Sequence, residues 1–521
     1  MARARGPSGK PFRFLFLFVG GLLLLPAALA AQGVTTGAMT GTVVSSTGES
    51  VVGATVIATH EPSGSQYGTA VREGGAYDIR GLRVGGPYTI AVQMIGYETS
   101  QETEIFVNLN QTVDTDFTIV PEAVEVAGIV VNLEADPVLN SARTGAATYV
   151  TPAQVQELPS LRRSTRDLTR LDPRSDGNFS FGGRNWLYNN ISLDGSYFNN
   201  PFGLDDPAPG GQTFAEPVPY DAIETVQVSV APFDVRQSGF TGAAVNSVTK
   251  SGTNVWRGSA YTFLRNEAFI GDQIGDVDVL VPDLTYSQTG FSLGGPIARD
   301  KAFFFVNYER ERREDPGSNF TALRPGETPG GTTSRVSAED LETIRQRMID
   351  VYDYDPGAFE NYIHATDNDK FIGKLDWNVN DRNKFSFRYN LLDAIHDLPP
   401  HPFAISINNT GRGPNETSLP FQNAGYAINN ELNSFAGELN TQATSWGNRL
   451  FASYNRFRDF REPFSVPFPT IEIAEDGVTY TTLGHEPFSI HNLLDQDVFQ
   501  ITDDFSLYRG NHVYSVGANY E

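Results

Sequence analysis

Between residues 371 and 389 apolar and polar positions alternate. Phe371, Gly373, Leu375 and Trp377 interleave with Ile372, Lys374 and Asp376; after residues 378–383, Phe385, Phe387 and Tyr389 interleave with Lys384, Ser386 and Arg388. A period of two predicts a pair of antiparallel strands with one aromatic, apolar face and one mostly charged face. In a soluble sandwich the apolar face meets a core. In a membrane barrel it meets lipid, and the charged face lines a wet lumen.

The spacing of such segments separates the two cases. Short connections recur at residues 298–301, 378–383, 441–448 and 507–511, and long ones alternate with them at 268–283, 313–367, 394–425 and 459–491. Alternation of short turns with long loops predicts an outer-membrane barrel. The short turns hold turn-forming residues: Arg299-Asp300, Asn380-Asp381-Arg382-Asn383 and Arg509-Gly510-Asn511. Aromatic residues fall near strand ends, among them Phe303, Phe305, Tyr308 and Trp377, as interface girdles require. The pattern predicts about nine strands over residues 255–521, the last at 513–520. Bacterial single-chain barrels have an even number, so nine would leave two open edges in lipid; the expectation is a fragment of a longer chain.

Residues 37–120 read differently. Short β-branched strands are expected at 41–44, 54–60, 66–71, 76–79, 88–94 and 114–119. They are separated by turn signals such as Thr47-Gly48-Glu49 and Gly85-Gly86-Pro87. Regular spacing of short strands predicts a small β-sandwich. Residues 124–254 predict an α+β unit. Thr151 and Pro152 suit the start of a helix over 151–158, Ser164 that of a helix over 164–171, and strands follow at 225–230 and 244–249.

The residues FSFGGRNWLYNNISLDGSYFNNPFG (179–203), followed by PYDAIETVQVSVAPFDVRQSGFTGAAVNSVTKSGTNVWRGSAYTFLRNE (219–267), resemble the plug and first barrel strand of TonB-dependent outer-membrane transporters, especially the Oar-like group. GTVVSSTGESVVGATVIA and GGAYDIRGLRVGGPYTIAVQMIGY resemble the carboxypeptidase-regulatory-like domain. The implied fold is mainly β: an N-terminal sandwich, an α+β plug and the first part of an antiparallel transmembrane barrel, which in that family has about twenty-two strands. The implied function is import of a ligand energised through TonB in the periplasm. The alternative is an outer-membrane adhesion protein that binds without transport. The resemblance also implies a TonB-contact segment, Val124, Glu125, Val126, Ile129, Val130 and Val131; it is extended and β-prone, as pairing by strand addition requires. It further implies a structural turn at Gly182, Gly183, Arg184 and Asn185, with Asp194 ending the next strand, and the turn is expected to brace plug against wall. The ligand is left open among peptide, glycan and chelate.

Composition narrows the chemistry. The formal net charge is −24, which argues against a nucleic-acid partner because phosphate binding needs a basic face. Arg3, Arg5, Lys10 and Arg13 precede an apolar run at 14–25 and Ala28-Leu29-Ala30, the pattern of a secretory signal peptide over residues 1–30. Cysteine is absent, which excludes disulfides, thiolate metal sites and a cysteine-linked lipid anchor. The seven histidines (60, 364, 396, 401, 485, 491 and 512) form no zinc motif, and His60 reads as a strand-end residue. Gly290-Phe291-Ser292-Leu293-Gly294 matches a nucleophile elbow in spelling, but no helix pattern follows. The pairs Asp353/Asp355 and Asp367/Asp369 lack the glycine and glutamate of a calcium loop. No cofactor, no metal and no enzyme activity are expected.

Overall fold

The computed structural model describes residues 33–122, 146–158, 160, 163–200, 207–232, 234–237, 239–401 and 411–521. The expected signal peptide, residues 1–30, and the segment 124–131 lie outside the described residues.

The N-terminal part forms β1 (Gly37–Ser45), β2 (Thr55–His60), β3 (Ser65–Ala70), β4 (Ala76–Leu82), β5 (Gly85–Gln93), β6 (Ser100–Val107), β7 (Thr112–Asp114) and β8 (Phe117–Ile119). They make two four-stranded sheets. One has the order β3-β2-β5-β6; in the other, β4 and β7 flank β1, and β8 also pairs with β1. Alternate residues, including Met39, Val43, Val56, Tyr77, Ile79, Tyr88 and Ile90, fill the space between them, as two packed sheets require. β6 has no counterpart among the expected strands. Its sequence SQETEIFV is mostly exposed along the sheet edge, so it lacks the apolar alternation that marks a half-buried strand.

The middle part forms β9 (Ala146–Val150), α1 (Pro152–Glu157), α2 (Thr165–Thr169), β10 (Asn190–Leu193), β11 (Ser196–Tyr197), β12 (Ile223–Val230) and β13 (Ala243–Thr249). The sheet order is β11-β10-β13-β12-β9. Thr151 caps α1 in a reciprocal pair with Gln154, and Ser164 caps α2. Val155 and Leu168 of these helices pack on Val226, Val228 and Val245 of the sheet.

The remainder is a meander of nine long antiparallel strands: β14 (Arg257–Asn266), β15 (Thr285–Ala298), β16 (Ala302–Pro316), β17 (Ile363–Asn378), β18 (Asn383–Leu398), β19 (Tyr426–Gln442), β20 (Trp446–Pro463), β21 (Gln496–Arg509) and β22 (His512–Tyr520). Each pairs with its neighbours in chain order. The faces are inverted relative to a soluble protein. Leu375, Trp377, Phe385, Phe387, Phe435, Tyr454 and Phe499 point outward and are exposed, whereas Asn307, Glu309, Lys370, Arg388, Asn390 and Asn430 are buried.

The outer face is also ordered by height. Tyr389, Phe435, Tyr454 and Phe499 are register partners across four strands. Four residues further from the short turns, Arg310, Asp369, Asp393, Glu431 and Arg458 are register partners across five. Towards the short turns, Trp446 stacks on Phe505 at 5.9 Å and Trp256 meets Phe304 edge-on at 5.4 Å. On β18 the outward apolar run is Phe385, Phe387, Tyr389 and Leu391 before Asp393. At about 3.4 Å per residue that run is roughly 20 Å long along the strand.

The long connections are not bare loops. α3 (Ala338–Tyr352) lies in the connection after β16, capped by Ser337 with Glu339 and Asp340 in its first turn. Its Leu341 and Met348 join Ala322, Tyr354, Leu419, Phe421, Tyr480 and Leu483 from three separate connections in one apolar core. The N-cap serine and the spacing Leu341, Ile344, Met348 were the available signals.

Candidate functional site at the inner face of the wall

The middle unit rests on the polar face of the wall. Its Leu193, Phe198, Ala215, Val218 and Ala222 share an apolar cluster with Phe305, Ile372, Leu392, Leu432 and Phe457 of the wall. Polar contacts surround that cluster. Asn390 Nδ2 donates to the Pro217 carbonyl at 2.9 Å, Asn455 Nδ2 to the Tyr197 carbonyl at 2.6 Å, and Thr213 Oγ1 to Asn430 Oδ1 at 3.1 Å.

At the centre lies Asp194. It opens the two-residue turn between β10 and β11, with φ of 43° at Asp194 and 83° at Gly195. An Asp-Gly pair with both φ positive is the tight hairpin that matches strand twist, and it presents the carboxylate to the wall. Lys374 Nζ stands 3.5 Å from Asp194 Oδ1, and Arg388 Nη1 3.9 Å from Oδ2. Thr249 donates to the carboxylate twice, from N–H at 2.9 Å and from its hydroxyl at 2.6 Å. Lys374 also donates to the Thr249 carbonyl at 3.1 Å. Arg388, 2% exposed, donates to the Leu193 carbonyl at 3.1 Å and to the hydroxyls of Ser196 and Ser434 at 2.9 Å each. Burial pushes the Asp194 carboxyl up; Lys374, Arg388 and the Thr249 hydrogen bonds outweigh it and hold it below the usual carboxylate range. One anion thus ties two wall strands, β17 and β18, to two strands of the middle sheet.

Beside this cluster is a cavity of about 960 Å³, lined by the sandwich (Tyr67, Arg83), the middle unit (Asp221, Glu224) and the wall (Ser386, Glu438). Burial raises the Glu224 carboxyl, against the opposing pull of Lys250, Lys374, Arg83 and Arg257. Asp221 pairs with Lys250 at 3.4 Å and accepts from Ser259 at 2.8 Å.

The other residues singled out in the sequence fall elsewhere. Gly182 and Gly183 have φ of 58° and 78°, so the turn needs glycine there. The turn closes on itself. Arg184 N–H donates to the Phe181 carbonyl at 3.1 Å, Asn185 caps a short 3₁₀ turn through Leu187 N–H at 3.0 Å, and both side chains are exposed. Asp194, the other residue singled out with this turn, carries the ion pairs to Lys374 and Arg388 of the wall. Ser292 is mid-strand in β15 and shares a hydrogen bond with Ser259 at 2.7 Å; the strand runs on to a turn and then to β16. Asp355 pairs with Arg345 at 3.4 Å, and Asp369 with Arg312. His60 is buried against Tyr88, ring centroids 4.9 Å apart, with Nδ1 2.7 Å from Ser63 Oγ. Burial, then the Arg83 charge, lowers its pKa to about 3. Among the described residues no group of three or more histidine and acidic side chains is placed to hold a metal ion. Lys374 and Arg388 are visible in the sequence only as polar positions of strands, and Arg83 only as a residue between two strands.

A wall that is polar inside, apolar outside and banded by aromatic and charged rings defines an outer-membrane β-barrel protein. Residues 248–521, more than half of the chain, match the outer membrane beta barrel domain, and residues 38–120 match the carboxypeptidase regulatory-like domain. The chain belongs to the outer membrane beta barrel domain family. It is 24% identical over 324 residues to the TonB-dependent transporter Oar of Myxococcus xanthus, covering 58% of this chain and 28% of that protein. Among solved structures it is similar to the outer membrane transporter YddB from Escherichia coli (13% identity, TM-score 0.49, 72% of this chain and 47% of that one). Another is the siderophore receptor PirA from Pseudomonas aeruginosa (14%, 0.41, 72% and 47%). The chain therefore spans less than a third of the length of the curated relative and about half that of these solved chains.

Proposed function

We propose that this protein is a TonB-dependent receptor that imports a ligand across the outer membrane through a plugged barrel. In this reading residues 1–30 direct export through the Sec pathway, 37–120 form a periplasmic sandwich, 124–254 hold the TonB-contact segment and the plug, and 255–521 belong to the lipid-facing wall. The observation that carries it is the seating of the middle unit on the wall's polar face through Asp194, Lys374 and Arg388. A unit held by polar contacts inside a wall can leave by exchanging them for water, which a dry apolar interface could not do as readily.

Residues 124–131 lead towards β9, which among the described residues is an edge strand paired only with β12. A partner that pairs with that segment and pulls loads this edge first. The free energy enters through TonB, so no nucleotide site is needed in the chain. The ligand is a peptide, glycan or chelate taken at the long-loop end. The test places cysteine at position 126 of the full-length protein and cross-links it to the TonB C-terminal domain in cells. An adduct at 124–131 supports import. Its absence in correctly folded protein moves the reading to adhesion.

A further inference from the structure

The N-terminal sandwich touches every short turn of the wall. At the first, Gly64 lies so close to Asp300 that an added Cβ would stand 3.1 Å from Asp300 Cγ; beside it, on the run into β14, Asn254 N–H donates to the Pro62 carbonyl at 2.9 Å. At the second, Asn378 Nδ2 donates to Ser65 Oγ at 2.9 Å, and Arg83 pairs with Asp376 at 3.0 Å. At the third, Gln442 Nε2 donates to the Asp78 carbonyl at 3.3 Å. At the fourth, Arg72 donates to the Gly510 carbonyl at 3.2 Å and lies over the Tyr508 ring at 5.3 Å. Arg83 also donates to the Gly252 carbonyl at 3.1 Å, where the middle unit runs into the wall. The contacts are mostly polar, and the ion pair is only partly exposed, with side-chain exposures of 18% and 15%. The sandwich and the turn end both line the 960 Å³ cavity that reaches Asp194 and Lys374.

We propose that the sandwich is a latch across the periplasmic mouth: docked, it seals the cavity beneath the plug, and it must undock before cargo can leave. The inference rests on the transporter reading for its direction, but docking itself can be measured without cargo or TonB. The sandwich ends just before residues 124–131, and its last strand, β8, pairs over three residues with β1. A pull on that segment therefore loads the latch on one side and β9 on the other.

The chain has no cysteine; with any cysteine elsewhere in the full-length protein replaced by serine, an introduced thiol reports alone. Ser386, on the inward face of β18, lines the cavity. Ser386→Cys in the full-length protein is labelled with a small maleimide and with a 5-kDa polyethylene-glycol maleimide, in outer-membrane vesicles open to the periplasmic face. The latch predicts ready labelling by the small reagent and slow labelling by the large one. Arg72→Ala with Arg83→Ala should speed the large reagent at least tenfold. Equal rates with and without the arginines overturn the proposal.

In cells, active TonB should speed the large reagent on Ser386→Cys protein that carries no other change. If TonB has no effect while the arginine variant still labels faster, the transporter reading fails and the latch stands as a static seal. Where the arginine variant does not fold, Gly64→Cys with Asp300→Cys, a pair that oxidation joins across their close approach, supplies the second test. The oxidised pair should leave the thiol at position 386 unlabelled by the large reagent even with TonB active, and reduction should restore labelling. Labelling of the oxidised protein at the unlocked rate overturns the latch.

Discussion

Asp194→Asn is the most informative single change. It keeps the shape of the side chain and an acceptor for Thr249 N–H, but it removes the charge that faces Lys374 at 3.5 Å and Arg388 at 3.9 Å. Both cations are then buried between the middle unit and the wall without a counter-charge. Breaking one partner out of a buried ion pair costs about 3–5 kcal/mol, which at about 1.4 kcal/mol per decade is roughly a 10²- to 10⁴-fold rise in the unseated population. The assay is native-state hydrogen exchange on the backbone amides of β10 and β13 in detergent or lipid, compared with those of the wall strands. Exchange in β10 and β13 should rise by that factor and the wall should change little. Adding Lys374→Met to Asp194→Asn should recover part of the loss, because it removes one of the two orphaned charges. Unchanged protection in β10 and β13 would refute the reasoning, since Asp194 would then carry no share of the seating. The pH dependence has a definite sign. The folded Asp194 carboxyl is held below its ordinary value, so its stabilisation is complete above the unfolded pKa of about 3.9 and is lost as pH falls through the folded value. Acidification below about pH 4 should release the unit in the wild type and have less effect in Asp194→Asn.

Further outcomes follow from the same geometry. Phe387→Arg, in the middle of the outward apolar run of β18, should cost about 2–4 kcal/mol in a folding titration into lipid vesicles, whereas Glu431→Arg in the charged ring should cost about 0–1. His60 is buried with its pKa lowered to about 3, so the sandwich should be fully stabilised above about pH 6.5 and lose stability as pH falls towards 3; His60→Phe should flatten that dependence when exchange in β2 is followed against pH. Leu341→Ala should cost about 2–5 kcal/mol of local stability in the outer cap, read as faster exchange in α3 with no change in the wall strands. Gly252→Val should impair assembly, because a Cβ there meets the carbonyl oxygens of Phe304 and Gly295, and the heat-resistant folded band on a gel should weaken.

The wall was legible because its signal is local. Side-chain parity is set by the pleat, so the alternation around residues 371–389 carried both faces of β17 and β18, and the turn residues marked where each strand reverses. What parity could not say is which face is buried; the inverted burial of Arg388 and Phe387 answers that. α3 escaped because the strand period dominates the segments on either side of its long connection, although its N-cap serine was present. β6 escaped because an exposed edge strand has no apolar face to betray it. The Asp194 cluster joins residues 180 and more apart in the chain, and the sandwich–turn hydrogen bonds of Asn378, Gln442 and Arg72 join residues more than 300 apart. No spacing rule reaches that far. The sequence marked Asp194 only as a strand end, and its partners only as members of a polar face.

On this reading the wall turns its apolar face to lipid and its polar face to the middle unit. A cysteine scan of positions 384–391 on β18, in full-length protein reconstituted in vesicles, tests it directly, with a fluorophore on each thiol and separate lipid-phase and aqueous quenchers. Strong lipid-phase quenching is expected at 385, 387, 389 and 391 and little at 384, 386, 388 and 390. Uniform aqueous quenching, or lipid quenching at the even positions, would contradict it.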